Sequence, residues 1–215
     1  GAVYVFIRDQ AGSWTQQAFI KASNTDAQDF FGNSIALADD GLTLAVGSPG
    51  ESSNTTGIDG IQLDNSFTSS GAVYIYVSDG LGNWSQQAYV KPDNTNSFDF
   101  FGASISLTSD GSRLVIGAPG EESAATGING DNFDNTQPGS GAAYLFSRDG
   151  TGVWMQTHYI KASNTEADDR FGAGTAIADD GQTMAISAYG EDSASTPGGD
   201  QSDNSADSAG AVYLY

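Results

Sequence analysis

The chain has 215 residues, 38% hydrophobic and 11% aromatic, which is enough apolar surface for a core and too much for disorder despite 28 glycines. Asp and Glu number 27 against 7 Lys and Arg, and the formal net charge of −20 repels phosphate backbones and anionic lipid, which argues against nucleic-acid and membrane-surface partners while suiting cations and saline water. There is no cysteine, which excludes a disulfide framework and thiolate metal sites, and no apolar run approaches the roughly 18 residues of a membrane span.

In chain order, the first run is Gly1-Ala2-Val3-Tyr4-Val5-Phe6, β-branched and aromatic as strands are. A turn at Asp9-Gln10-Ala11-Gly12 follows, then residues 14–21, where Trp14, Phe19 and Ile20 suit a strand with one buried face. A polar loop over residues 24–29 leads into residues 31–37, in which Ile35 and Leu37 alternate with small neighbours. Asp39-Asp40-Gly41 predicts a hairpin, because Asp-Gly supplies the positive φ such a turn needs. Residues 42–47 are almost wholly apolar, as in a strand buried on both faces, and residues 51–70 show no strand character.

This pattern returns twice, with Phe31-Gly32, Phe101-Gly102 and Phe171-Gly172 spaced by 70 positions and Trp14, Trp84 and Trp154 keeping the same step. No segment has helical spacing over ten or more residues. Four antiparallel strands per unit predict a propeller blade, a twisted sheet whose two apolar faces need neighbours.

Phe-Gly, a strand, Asp-Gly, a strand, Gly-Ala-Pro and then Gly-Ala-Val-Tyr resembles the FG-GAP repeat of integrin α-chain propellers and bacterial surface proteins, over essentially the whole chain. The second unit carries Gly117-Ala118-Pro119 intact, the first has Ser48 for alanine, and the third has Ser187 and Tyr189 for glycine and proline. The resemblance implies an all-β fold of propeller-type blades of four antiparallel strands, each beginning at Phe-Gly. Residues 1–29 then supply the last two strands of a preceding blade, 30–99 and 100–169 are blades, and 170–215 supply the first three strands of a following one. Thirteen strands is one more than three closed blades need, and propellers use roughly four to eight blades. The expectation is therefore part of a longer array, or closure between chains. Because the chain starts inside a repeat, any targeting segment is expected upstream.

Long loops inside compact repeats tend to be functional. Here they repeat oxygen-bearing positions: Glu51, Glu121 and Glu191; Asp64-Asn65, Asp134-Asn135 and Asp203-Asn204; with Asp29, Asp99 and Asp169 before each Phe-Gly strand. Ca²⁺ takes six to eight oxygen ligands, so carboxylates meeting at one blade rim predict one Ca²⁺ site per unit from these residues. The Asp-x-Asp-x-Asp-Gly core of integrin-type calcium loops is missing, and Asp131-Asn132-Phe133-Asp134 is the nearest approach. The competing reading makes the same residues Asx turns and hydrogen-bonding caps.

With His158 as the single histidine and no cysteine, a nucleophile–base pair has little material, and no enzymatic activity is expected. His158 reads as an exposed outer-strand substitution. Tyr4, Tyr74, Tyr144, Tyr213 and the tryptophans read as blade packing, with sugar stacking as the alternative. The leading expectation is a calcium-stabilised adhesion or protein-interaction module, extracellular or at a bacterial cell surface, able to self-associate through unpaired end strands. Two alternatives remain, a glycan-binding lectin-like propeller and the accessory scaffold of a larger secreted hydrolase.

Overall fold

The computed structural model describes residues 1–196 and 198–215, and its thirteen strands fall into four antiparallel sheets with no helix among the described residues. The first sheet pairs β1 (Val3–Arg8) with β2 (Trp14–Ile20). The second orders β3 (Ser34–Leu37), β4 (Thr43–Ser48), β5 (Ala72–Ser78) and β6 (Trp84–Val90). The third repeats it with β7 (Ser104–Leu107), β8 (Arg113–Ala118), β9 (Ala142–Arg148) and β10 (Trp154–Ile160). The fourth holds β11 (Phe171–Ile177), β12 (Met184–Ala188) and β13 (Ala211–Leu214), and no fourth strand pairs β13 among the described residues. Among the described residues the sheets do not close into a ring.

The inner strands behave as their composition dictates. Every residue of β4 is buried, since a run without polar alternation can sit only between two apolar layers. Gly41, Gly111 and Gly181 take the positive φ of the Asp-Gly hairpins, at 68°, 66° and 66°. The Phe-Gly strand is shorter than expected in the first two units, starting at Ser34 and Ser104. The preceding Gly32 and Gly102 adopt φ of 91° and 86°, which turns the chain and drops Phe31 and Phe101 into the core instead of along the ladder.

Those phenylalanines anchor each unit. Phe31 meets Tyr74 edge-on with ring centroids 5.4 Å apart, and Phe101–Tyr144 and Phe171–Tyr213 reproduce the 5.4 Å contact. Such pairs contribute roughly 0.5–1.5 kcal/mol beyond the area they bury.

Neighbouring sheets approach backbone to backbone. A Cβ on Gly47 would lie 2.1 Å from the Gly102 carbonyl oxygen, and one on Gly117 1.8 Å from that of Gly172, so only glycine fits these seams. Ser34 and Ser104, opposite those glycines in the ladder, donate their hydroxyls to the same carbonyls at 2.7 and 2.8 Å. The third unit inverts the pair, with Gly174 opposite Ser187. Each fourth strand also carries a bulge, at Gln17, Gln87 and Thr157. The bulge aims Gln87 at the next unit, where its Oε1 accepts Trp154 Nε1–H at 3.0 Å.

The ends differ from the middle. Tyr4 is 55% exposed whereas its counterpart Tyr74 is fully buried, and Val212 and Leu214 are 66% and 74% exposed whereas their counterparts Val73 and Ile75 are fully buried. Within the chain, the face bearing Val3 and Val5 packs on the face bearing Tyr74 and Tyr76. The two ends therefore expose opposite halves of one packing surface.

Candidate functional site

Each long loop leaves its second strand through a turn that carries a glutamate inward. Glu51 is buried, and its Oε2 accepts Lys91 Nζ at 3.0 Å and the Ser53 N–H at 3.2 Å, while Oε1 accepts Asn24 Nδ2 at 3.1 Å. Lys91 follows β6 and donates a second bond to Ser70 Oγ at 2.7 Å. Asn24 is oriented in turn by the Tyr74 hydroxyl.

The second unit copies this network. Glu121 accepts Lys161 Nζ at 2.9 Å, the Ser123 N–H at 3.2 Å, Asn94 Nδ2 at 3.3 Å and the Tyr159 hydroxyl at 2.8 Å. Lys161 reaches Ser140 Oγ at 2.7 Å, and Tyr144 donates to Asn94 Oδ1 at 2.9 Å. Burial pulls both lysines below their ordinary range, and the glutamates work against that pull. A buried ion pair survives only when its remaining hydrogen-bonding capacity is met, and the surrounding serines and asparagines meet it here.

The third unit has the acceptor without the cation. Glu191 is 3% exposed and accepts Asn164 Nδ2 at 2.9 Å, the Tyr213 hydroxyl at 2.9 Å and the Ser193 N–H at 3.1 Å, with no lysine among the described residues. At the opposite end, exposed Lys21 donates to the Gly1 carbonyl and pairs with no carboxylate among the described residues.

The other expected ligands close turns. Asp29, Asp99 and Asp169 are buried and accept the N–H groups of Asp26, Asn96 and Glu166 at 2.8, 2.7 and 2.8 Å. Burial pushes Asp99 up to about 8 and Asp169 to about 6, with nearby Glu121 and Glu191 adding to each. Asp64 accepts the Ser66 N–H at 2.9 Å and the Asn54 N–H at 3.2 Å. Asp134 accepts the Ala124 N–H at 2.9 Å, and Asp203 the Ser205 N–H at 3.1 Å. Asn65 donates to Asp26 at 2.9 Å, Asn204 donates to Glu166 at 2.6 Å, and Asn135 is exposed. Among the described residues no group of three His, Asp or Glu side chains is placed to hold one metal ion. Glu51 and Glu121, two of the expected ligands, each pair with a lysine ammonium.

Sequence reasoning missed Lys91, Lys161 and the Asn24, Asn94, Asn164 series. The signal was present: every lysine in this acidic chain, Lys21, Lys91 and Lys161, falls on the repeat step. Tyr74 and Tyr144 are fully buried and offer no face to a sugar, and His158 is exposed.

Antiparallel four-stranded sheets stacked through glycine seams, each with a buried lysine–glutamate pair, define a blade-repeat protein of the propeller type. The chain belongs to the FG-GAP repeat family, whose profile matches residues 14–76, 84–146 and 154–215. No curated protein matched the chain. Each family match runs from the tryptophan of one fourth strand to the third strand of the next sheet, so it straddles two hydrogen-bonded sheets. No helix among the described residues is long and apolar enough to cross a membrane.

Proposed function

We propose that the chain is a non-enzymatic interaction module of the cell surface or extracellular space, joining protein partners or further copies of itself through its two end sheets. One observation carries this reading: the FG-GAP match covers three consecutive units built as stacked antiparallel sheets, an architecture suited to a propeller-type interaction module. Sedimentation equilibrium across a concentration series tests it. A rising mean mass is expected, and a monomer at every concentration, with no protein captured by the end faces, would end the reading.

Calcium keeps one place in this proposal, the third unit, where Glu191 and Asp169 influence each other with no lysine nearby. Calorimetry of EDTA-stripped protein with added Ca²⁺ reads it, and absence of heat together with an unchanged melting temperature removes calcium from the account.

A further inference from the structure

We propose that the first and second units each close an internal amide bond between a buried lysine and the asparagine that shares its glutamate. The pairs are Lys91 with Asn24 and Lys161 with Asn94, and each bond expels one ammonia. The interaction role proposed above is independent of this chemistry.

In each site the two oxygens of one carboxylate hold an amine and an amide side by side. Glu51 Oε2 accepts Lys91 Nζ at 3.0 Å while its Oε1 accepts Asn24 Nδ2 at 3.1 Å. The corresponding oxygens of Glu121 accept Lys161 Nζ at 2.9 Å and Asn94 Nδ2 at 3.3 Å. At the other end of each amide, the Tyr74 and Tyr144 hydroxyls donate to Asn24 Oδ1 and Asn94 Oδ1. A backbone carbonyl steadies each amide nitrogen, that of Gln62 at 2.7 Å and that of Asn132 at 2.8 Å. Amine and amide are thus oriented before any reaction begins.

The sites are also dry. Both lysines are 0% exposed and both glutamates 1%. The ring pairs Tyr74–Tyr89 and Tyr144–Tyr159 pack at 5.2 and 5.4 Å between centroids. Excluding water removes the competing nucleophile at the amide carbon.

The step balances with no outside reagent. The carboxylate takes a proton from the Nζ ammonium, and the amine attacks Cγ of the asparagine. Charge developing on Oδ1 is met by the tyrosine hydroxyl, in the manner of an oxyanion hole. Nζ gives up a second proton as the new bond forms, and the glutamate relays both protons to Nδ2. The Cγ–Nδ2 bond then breaks, nitrogen leaves as ammonium, and the glutamate is again a carboxylate beside an Nζ–Cγ amide.

The two bonds enclose residues 24–91 and 94–161, so β3 to β6 lie in one covalent loop and β7 to β10 in the other. A pull along the backbone crosses each of these sheets through an amide and bypasses its strands. Closing a loop covalently also restricts the unfolded chain and so favours the folded one.

The intact mass of the denatured 215-residue chain is expected to fall short of the sequence value by two molecules of ammonia. Proteolytic digests should hold branched peptides joining Lys91 to Asn24 and Lys161 to Asn94. Glu121→Gln keeps a hydrogen-bonding side chain but cannot relay protons, so it should lose one ammonia and keep only the Lys91–Asn24 branch. Lys161→Met should give the same single loss. A wild-type chain of full sequence mass overturns the proposal however the variants fold. So does a deficit carried by unbranched asparagine peptides, the mark of a succinimide. Loss of both ammonias from the Glu121→Gln chain overturns the part assigned to the glutamate.

Discussion

Glu121 and Glu191 occupy the same place in consecutive units, yet one faces an ammonium and the other only neutral donors. The comparison separates what the loop contributes from what the fourth strand contributes. Loop, asparagine and tyrosine pre-form the acceptor in both units, so the carboxylate is positioned without the lysine. The strand then delivers the charge. An element that must both complete a ladder and neutralise a buried acid is specified twice, by register and by electrostatics.

The largest break in that comparison is Lys161→Met, which strands Glu121 as an uncompensated buried charge. A loss of roughly 3–5 kcal/mol in urea unfolding is expected, and pairing it with Glu121→Gln should recover part of the loss. Tyr159→Phe removes one hydroxyl bond to Glu121 and should cost about 1.5–3 kcal/mol, read in the same assay.

A subtler probe is pH. The folded chain holds the Asp99 proton up to about 8 whereas the unfolded chain releases it near 3.8, so between those values the native state binds more protons and stability falls as pH rises. Asp99→Asn should flatten that slope, and Asp169→Asn should flatten it less, because the Asp169 window closes near 6. Denaturation midpoints measured from pH 4 to 8 give both slopes. Smallest of all, His158→Ala on the exposed face of β10 should change stability by no more than about 0.5 kcal/mol.

Much of the architecture was legible because each unit states it locally. Asp39-Asp40-Gly41 names its turn, the unbroken apolar run of β4 names its depth, and the recurring Phe-Gly names the unit. The start of β3 was not legible, since nothing in Phe31-Gly32 says that glycine turns left-handed there and sends the ring inward. At the site, Glu51 and Glu121 were found by their recurrence, but their partner was not. Lys91 lies 40 residues beyond Glu51, on the far side of a folded-back loop, and only the fold brings them together. The acidity of the chain drew attention to cations from solution, and the lysines paired with Glu51 and Glu121 carried no such signal of their own.

The inverted Gly174 and Ser187 pair has a mechanical consequence. Where Gly47 and Gly117 let the following sheet nestle against bare backbone, Ser187 interposes a side chain, so a neighbour docking on this flank must stand further off. Any assembly built through the third unit therefore has a designated fault line, and strain or dilution should part it there before it disturbs the two inner joints.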